Sequence, residues 1–366
     1  MNNKISFLIS SISSGGSENV CINIANGLAK RGWKIDLFCF YLKEKKNLKK
    51  ISKKINFINL NSKNFIMGFL KMIFYVKKNN IKNIFCFHYL VATQLVILRF
   101  LFSKQLKIIV RNNISLTKTE EYNYKNSIKK KIIFKIVKFL YTKVEFCISQ
   151  CKDMKLDLIQ NYKFDRKKVK VILNPVKYEI EKKSINYSAK KENFILLAGR
   201  LVKQKRPEVA IKLFSNILKK FPKFKMKIAG NGDQKKYLRK LVSKCRINKN
   251  VKFVGHIENL SNLFKKANLT IMTSAYEGFP NVLIESITLG TPVISYDCPY
   301  GPREIIKDGI NGFLVKNDDE INFEKKITQA LIVKWDPKKI RRSASIYRNS
   351  PILNEYENFF SKIIKK

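Results

Sequence analysis

Two glutamates frame the segment EGFPNVLIE, in which Glu277 and Glu285 lie eight residues apart. The apolar run LTIMTS before them predicts a strand that ends at Ser274, and Pro280 suits the first turn of a helix. Glu277 is therefore expected in a loop, and Glu285 about one turn inside the helix. The amides at a helix start favour anionic or hydroxyl-rich ligands, and a carboxylate there can accept hydrogen bonds from vicinal sugar hydroxyls. Taken alone, Glu285 is better explained as a surface residue that complements the helix dipole.

Two cations follow another predicted strand, FILLAG, which ends at Gly199. Arg200 offers a planar guanidinium and Lys205 a point charge, so together they could grip a diphosphate. The chain has 74 Lys and Arg residues, so the pair alone is weak grounds for a site. Nine of the 14 glycines lie between Gly199 and Gly312, mostly after predicted strands, where open α/β sheets bind ligands.

The elements that must position these residues alternate between strand and helix. Short apolar runs predict strands at 5–10, 34–40, 81–87, 106–110, 144–149 and 169–174, and again at 194–199, 225–230, 251–255, 269–274 and 292–297. This alternation favours parallel sheets covered on both faces. We predict an α/β chain with two doubly wound, Rossmann-like domains at 1–176 and 193–345. A polar linker at 177–192 joins them, and a C-terminal helix at 346–366 is expected to pack back on the first domain.

Composition narrows the classes of protein. The formal net charge of +47 suggests an anionic partner, although the coding bias of an AT-rich genome explains the abundance of Lys, Asn and Ile at least as well. Seven cysteines without a CxxC pair are typical of reduced thiols in a cytosolic protein. The two histidines, His88 and His256, form no metal-ligand cluster. No run reaches about 18 uncharged apolar residues, so no membrane-spanning helix is expected.

The segment 127–143 has a basic amphipathic pattern. Lysines surround apolar residues at helical spacing, which are Ile128, Ile132, Ile133, Ile136, Val137 and Leu140. We expect this apolar face to pack on the sheet while the lysines remain solvated. The alternative is docking on an anionic inner membrane near a lipid-linked acceptor, to which the lysines could contribute even with the apolar face packed.

Five stretches occur in order with natural spacing: AGRLVKQKRP, IAGNGDQKKYL, VKFVGHIENL, YEGFPNVLIESITLGTPVISYD and GPREIIKDGINGFLV. They resemble the second domain of retaining glycosyltransferases of family 4, the group 1 glycosyl transferases, which have the GT-B fold. The resemblance is specific over about 194–315, where Glu277 to Glu285 matches the E-x7-E signature. SSGGSENVCINIANGLAKRGWKIDLF and VILNPV resemble the family's first domain more loosely. The resemblance implies two Rossmann-like domains that face each other across a cleft.

The resemblance also implies a role for each matching residue. Arg200, Lys205 and Glu277 form the catalytic set, in which the cations bind the donor diphosphate and the carboxylate contacts the donor sugar. Glu285 would hold the ribose hydroxyls. The other donor-binding positions are Gly15, Gly16, Gly255, His256, Ile257, Gly278, Phe279, Pro280 and Asn281.

Two of the implied roles have local alternatives. His256 is better explained as a turn residue whose backbone flanks the base. His88 is an acceptor-side candidate, and a side chain tucked beside Tyr89 explains it equally well. Arg111, after another predicted strand, is the second acceptor-side candidate. Ser17 is expected to cap the first helix.

These roles imply a retaining hexosyl- or N-acetylhexosaminyltransferase that uses a nucleotide sugar, in particular a UDP-sugar. Its acceptor would be a growing bacterial cell-surface glycan: lipopolysaccharide, capsule or a lipid-linked oligosaccharide. No DxD-type metal site is evident, so Arg200 and Lys205 are expected to replace a metal ion, and no cofactor is expected. The protein is expected in the cytoplasm, with peripheral contact at the inner face of the membrane.

Two other classes remain as alternatives. The first is a GT-B-fold sugar-nucleotide epimerase, which the cations and the paired glutamates disfavour. The second is a basic nucleic-acid-binding protein, motivated by charge alone. The sequence lacks a recognised nucleic-acid-binding module, so no nucleic acid is expected as a partner.

Overall fold

The computed structural model describes residues 3–12, 15–42, 45–62, 64–123, 127–176 and 190–364. It divides the chain into two compact units, Met1–Lys177 with Asn349–Lys366, and Tyr178–Arg348. Most of the predicted linker at 177–192 lies outside the described residues, and the first strand of the second unit begins at Glu192.

Strands and helices alternate through both units. The described strands of the first unit are β1 Lys4–Ile12, β2 Lys34–Leu42, β3 Asn56–Asn59, β4 Asn83–Cys86, β5 Lys107–Arg111, β6 Phe146–Ser149 and β7 Val169–Val171. Those of the second are β8 Glu192–Ala198, β9 Lys225–Ala229, β10 Val251–Gly255, β11 Ala267–Met272, β12 Val293–Tyr296 and β13 Gly312–Val315. The α-helices are α1 Gly16–Lys30, α2 Phe65–Lys78, α3 Tyr89–Phe102, α4 Leu116–Asn123, α5 Ile128–Tyr141, α6 Lys152–Gln160, α7 Pro207–Lys220, α8 Lys235–Lys244, α9 Ser261–Lys266, α10 Asn281–Thr288, α11 Pro302–Ile305, α12 Glu320–Ile332, α13 Pro337–Ser343 and α14 Asn349–Ile364.

Each unit is built on one parallel sheet. The first has the strand order β3-β2-β1-β4-β5-β6-β7 and the second β10-β9-β8-β11-β12-β13. Helices cover both faces of such a sheet, which explains why its central strands are nearly continuous apolar runs. The predicted fold class, two doubly wound α/β domains, is confirmed.

The sequence patterns did not predict two edge strands, β3 and β13. Both are only four residues long. The β3 sequence NFIN is partly exposed and begins and ends with asparagine, so it lacks the continuous apolar run of a central strand. β13 is more buried, but the glycine-rich stretch DGING before its apolar residues is typical of a turn.

The C-terminal helix α14 belongs to the first unit. Leu353 packs so closely on α1 that a Cβ added to Gly27 would lie 2.4 Å from its Cδ1 atom. Phe360 contacts Phe85 of β4 with ring centroids 5.2 Å apart. Glu357 accepts hydrogen bonds from Trp33 and Arg31, each at 3.0 Å. The end of the chain therefore completes the core of this unit.

Arg111 does not fit the predicted acceptor-side role. Its side chain is fully buried, with 0% exposure, at the end of β5. The guanidinium donates to the hydroxyl of Tyr356, to the side-chain oxygen of Asn174 and to the backbone carbonyl of Ile172. Burial lowers its pKa, and Tyr356 opposes that effect. A group enclosed in this way ties β5 to α14 and cannot contact an acceptor in this structure.

We expect Arg111→Ala to destabilise the first unit by about 3 kcal/mol, because it leaves a cavity and buried oxygen atoms without a donor. Urea unfolding would measure the loss. Arg31→Ala is the matched control, since Arg31 also bonds to α14 but its side chain is 24% exposed. The control should lose no more than about 1 kcal/mol. Equal losses in the two variants would contradict the assignment of Arg111 to the core.

The helix predicted over 127–143 is present as α5, but the expected packing of its apolar face is wrong. Phe134 and Tyr141 are the described α5 residues that are buried. The residues Ile128, Ile132, Ile133, Ile136 and Phe139 are instead between 52 and 79% exposed. Only Val137 and Leu140 of the predicted set pack partly against the core. The helix has apolar residues on two sides, so periodicity alone does not identify the packed one.

Candidate functional site

The strand order of the second sheet reverses between β8 and β11. These strands are neighbours, yet β9 follows β8 on one side and β12 follows β11 on the other. Ligands of open α/β sheets bind at the carboxyl ends of the strands, where the order reverses in this way. The loops at that point are 199–206 and 273–280, and they contain the three residues expected to be catalytic.

Hydrogen bonds join these two loops. Arg206 donates from Nε to the carbonyl of Thr273 at 2.9 Å, and the Thr273 hydroxyl donates to the carbonyl of Arg206 at 2.8 Å. The amide of Ala275 donates to the carbonyl of Gln204 at 2.8 Å, and the Gln204 side chain donates to the carbonyl of Tyr276 at 2.9 Å. The site is therefore held in place by its own backbone as well as by the sheet.

Lys205 and Glu277 meet as an ion pair. The Lys205 ammonium lies 2.5 and 2.6 Å from the two carboxylate oxygens of Glu277, and the Ser274 hydroxyl donates to the nearer one at 2.6 Å. The side chain of Glu277 is 5% exposed and that of Lys205 is 24% exposed. The pair thus presents the ammonium to solvent and keeps the carboxylate fixed behind it.

Arg200 lies in the same loop as Lys205 but is exposed. Within the part of the chain that the structure describes, its guanidinium has no hydrogen bond or ion pair. Of the two cations expected to bind the diphosphate, Lys205 is therefore held by a carboxylate, and Arg200 has donors that face solvent. Both are available to an anion that binds at the ends of β8 and β11.

Two glycines after β9 permit close backbone packing next to the site. A Cβ on Gly230, which has φ +144°, would lie 1.8 Å from the carbonyl oxygen of Gly199. A Cβ on Gly232 would lie 2.1 Å from the carbonyl oxygen of Leu201. The amide of Gly230 also donates to the carbonyl of Gly255 at 2.7 Å. The turns after the neighbouring strands β8, β9 and β10 consequently form a connected row. Gly255 lies at the end of this row that is farthest from the Lys205–Glu277 pair.

The remaining donor-side candidates of the second unit lie on this edge of its sheet. His256 is exposed and Ile257 half-buried, just after β10. Helix α10 begins at Asn281, so Pro280 lies at its N-cap and not in the first turn, and Glu285 lies about one turn inside. Phe279 is 6% exposed and contacts Tyr347, with ring centroids 6.0 Å apart. Phe279 therefore supports the loop rather than facing a ligand, and Gly278 precedes it.

Sequence reasoning missed the residues that hold the site together. The apolar run LTIMTS indicates only that Thr273 and Ser274 end a strand, and no pattern distinguishes Gln204 and Arg206 within AGRLVKQKRP. One signal was available for Ser274, a hydroxyl three residues before Glu277 and at the carboxyl end of a strand. The reciprocal bonds of Arg206 and Gln204 depend on two loops about 70 residues apart in sequence, which no local pattern reveals.

The first sheet reverses its strand order in the same way, between β1 and β4. Helix α1 begins at Gly16 with Gly15 at its N-cap, so Ser17 is not the cap that the sequence predicted. Its hydroxyl instead accepts a hydrogen bond from Asn113 at 2.6 Å. His88 follows β4 on the other side of the reversal, so these predicted residues lie on the same edge of one sheet.

His88 caps helix α3. Its Nδ1 atom accepts a hydrogen bond from the amide of Leu90 at 3.2 Å, and its ring stacks on Tyr89 with centroids 4.8 Å apart. Burial lowers its pKa to about 4, so the ring is neutral at pH 7 and Nε2 carries the proton. The tucked position beside Tyr89 is observed, and no hydrogen bond from Nε2–H is formed within the described residues.

No group of three or more His, Cys, Asp or Glu side chains in the described part of the chain is arranged to hold a metal ion. Among the described helices, none combines the length and the apolar character needed to cross a membrane.

Curated relatives match along different shares of their length. A Campylobacter jejuni GalNAc-alpha-(1->4)-GalNAc-alpha-(1->3)-diNAcBac-PP-undecaprenol alpha-1,4-N-acetyl-D-galactosaminyltransferase is 28% identical over 337 residues, which are 90% of this chain and 89% of that protein. An uncharacterized glycosyltransferase of Methanocaldococcus jannaschii is 32% identical over 199 residues, which are 52% of this chain and only 48% of that protein.

Solved structures match the whole chain. The apo form of the lipopolysaccharide outer core galactosyltransferase WaaB has a TM-score of 0.74 at 20% identity, covering 98% of this chain and 99% of its own. An S. aureus TarM mutant in complex with Fondaparinux, alpha-GlcNAc-glycerol and UDP has a TM-score of 0.79 at 15% identity, with the same coverage. Anabaena HepE in complex with UDP-glucose has a TM-score of 0.78 at 18% identity, again covering 98% and 99%. These matches identify the GT-B fold.

Two family models divide the chain between them. The model described as Glycosyltransferase Family 4 matches residues 14–179, and the model described as Glycosyl transferases group 1 matches residues 179–346. Together they span both units, including the loops that carry Arg200, Lys205 and Glu277. The family resemblance found in the sequence is confirmed: the chain belongs to the family 4, group 1 glycosyltransferases and has their GT-B fold.

Proposed function

We propose that this glycosyltransferase moves a hexose or N-acetylhexosamine from a UDP-sugar to a growing bacterial cell-surface glycan, with retention of the anomeric configuration. The observation that carries the proposal is the convergence of Arg200, Lys205 and Glu277 on the point where the second sheet reverses. The names of the matched proteins add support, since HepE was solved with UDP-glucose and the Campylobacter jejuni relative is named for a lipid-linked glycan acceptor.

The donor diphosphate would be bound by Arg200 and Lys205. Arg200 already presents an exposed guanidinium, and Lys205 needs only to turn its ammonium from Glu277 towards the phosphates. Since the Lys205 side chain is 24% exposed, this exchange requires no opening of the core. A charge-assisted bond to phosphate would replace the bond to the carboxylate.

The sugar and the nucleoside would occupy opposite sides of that diphosphate. Glu277 would accept hydrogen bonds from sugar hydroxyls, and the backbone N–H groups next to Pro280 at the start of α10 would add donors. Glu285 would hold the ribose hydroxyls. The backbone around Gly255, His256 and Ile257 would flank the base, at the end of the row of turns that Gly230 connects.

The reaction requires a nucleoside diphosphate to leave while positive charge develops on the sugar. Preorganised cations aimed at the diphosphate stabilise that transition state, and in many enzymes such electrostatic stabilisation contributes most of the rate enhancement. Attack from the front face, with the acceptor hydroxyl deprotonated by the leaving phosphate, would give retention. Arg200 and Lys205 would neutralise the leaving group in place of a metal, so we expect transfer to continue in EDTA.

The acceptor side is proposed for the first unit, at the edge where Gly15, Gly16 and His88 lie. His88 is neutral, and its Nε2–H can donate to an acceptor or sugar hydroxyl. A glycan or lipid-linked acceptor is consistent with the named acceptors of the Campylobacter jejuni relatives. We place the protein in the cytoplasm, where nucleotide sugars are made.

Screening UDP- and GDP-sugars by ligand-induced thermal stabilisation would test the proposal. A ligand at a hundred times its Kd should stabilise the folded protein by about 2.7 kcal/mol. We expect UDP and one or a few UDP-sugars to raise the melting temperature. Stabilisation by GDP-sugars alone would contradict the assigned nucleotide, and stabilisation by no nucleotide sugar would contradict the proposal as a whole.

A further inference from the structure

Helix α5 turns an apolar face to solvent. Successive residues of an α-helix are about 100° apart, so Ile128, Ile132, Ile136 and Phe139 lie within an arc of about 80°. The buried Phe134 and Tyr141 lie on the opposite side. The exposed face is therefore a second apolar stripe and not the margin of the packed one.

The neighbouring helices α2 and α3 also expose apolar residues. Helix α3 contacts both α2 and α5. On α2 the exposed apolar residues are Ile66, Met67, Leu70 and Phe74, and on the last turns of α3 they are Ile97, Phe100, Leu101 and Phe102. Met72 and Val76 of α2 are buried on its other side. We call the exposed apolar residues of α2, α3 and α5 together the apolar face.

The apolar face is unusual for this chain. Of the 20 large apolar side chains that are exposed among the described residues, 13 belong to it. The second unit, of similar size, has six, and they are spread over several elements. Single exposed apolar residues need no explanation, whereas a concentration of this size marks an interaction surface.

The charge of the three helices is of one sign. Their sequences contain nine Lys and Arg residues and no Asp or Glu. Lys77 lies 4.5 Å from the centre of the Phe102 ring, and Lys143, just after α5, lies 4.6 Å from that of Phe139. Cations thus border the exposed aromatic rings, in the arrangement of helices that lie in a bilayer interface.

We propose that the apolar face docks on an anionic lipid bilayer and inserts its side chains at the level of the headgroups. Charge complementarity selects this occupant. Arg99 is already paired with Glu145, but a second copy of the chain would bring the eight lysines of these helices against eight others, without an acid on these helices to pair with them. An anionic membrane neutralises the same charges and accepts the apolar side chains. The surface lies in the unit proposed to hold the acceptor, so docking would bring that unit to a lipid-linked substrate.

Co-sedimentation of the full chain with phosphatidylglycerol-containing and pure phosphatidylcholine vesicles tests the proposal. We expect binding to the anionic vesicles and at least tenfold weaker binding to the neutral ones. The triple variant Ile132→Asn/Ile136→Asn/Phe139→Asn should lower the partition coefficient at least tenfold. Lys129→Gln/Lys130→Gln/Lys131→Gln should lower it by a similar factor. All these side chains are exposed, so the fold should be preserved.

Ile321→Asn/Ile332→Asn provides the matched control, because these exposed residues lie on α12 of the second unit. It should bind vesicles like the wild type. Binding that is unchanged by the α5 apolar variant would overturn the proposal. So would a wild-type dimer in size-exclusion chromatography that fails to bind vesicles and that the same variant dissociates. Thermal stabilisation by UDP is measured separately in every variant, so loss of docking and failure of the donor site are distinguishable.

Discussion

Glu277→Gln is expected to lower kcat for sugar transfer by about 10²–10³-fold while the second unit stays folded. Glutamine keeps the shape of the side chain but loses the charge that holds Lys205 and the second oxygen that accepts sugar hydroxyls. The freed Lys205 ammonium can be hydrated because it is partly exposed, so the loss of stability should be small. Initial rates against donor concentration would separate kcat from KM, and thermal unfolding would report the fold.

Asp318→Asn is the matched control for Glu277→Gln. Asp318 also forms an ion pair with a cation of the 199–206 loop, Arg206, but its side chain is 66% exposed. Its substitution should change kcat less than about threefold, since exposed pairs contribute little. Wild-type turnover in Glu277→Gln would refute the donor role of this residue.

Lys205→Ala is expected to weaken donor binding and to destabilise the second unit at once. Loss of the ammonium should raise the Kd for UDP by about 10- to 100-fold, as for a charged group paired with phosphate. It also leaves the Glu277 carboxylate, 5% exposed, without its cation. Breaking a buried ion pair costs about 3–5 kcal/mol, and partial exposure of Lys205 should reduce this to about 2 kcal/mol.

The double variant Lys205→Ala/Glu277→Gln separates the two effects. Removing both charges should recover most of the stability that Lys205→Ala loses. The rate of sugar transfer should remain as low as in the less active of the two single variants. Calorimetric titration with UDP and urea unfolding would measure the two quantities. Lys203→Ala, which removes an exposed cation from the same turn, should leave both near wild type. Donor binding unchanged in Lys205→Ala would exclude it from the diphosphate site.

Most of the fold could be predicted because it depends on local pattern. Continuous apolar runs between helical periodicities indicate parallel sheets with both faces covered, and eleven such runs lie at observed strands. The strands that escaped prediction, β3 and β13, are four-residue edges that carry little apolar signal. The start of helix α10 could be placed close to Asn281 because proline restricts where a helix begins.

The features that could not be predicted from the sequence are those that depend on contacts between distant parts of the chain. Arg111 has the position of a site residue, after a strand, yet α14 closes over it from the far end of the chain. In α5 both sides are apolar, and only the neighbouring elements determine which side packs. The ion pair of Lys205 with Glu277 joins residues 72 positions apart. The family resemblance placed both residues in one site, but it did not predict their direct contact.

Retaining transfer from a UDP-sugar is tested most directly by measuring nucleoside diphosphate release and acceptor glycosylation together. Both are followed in one reaction with a UDP-sugar and an undecaprenyl diphosphate-linked saccharide. We expect one UDP to be released for each sugar added, a product anomer that matches that of the donor, and loss of both signals in Glu277→Gln. Conversion of the UDP-sugar to its epimer without UDP release, or release that Glu277→Gln leaves unchanged, would contradict this expectation.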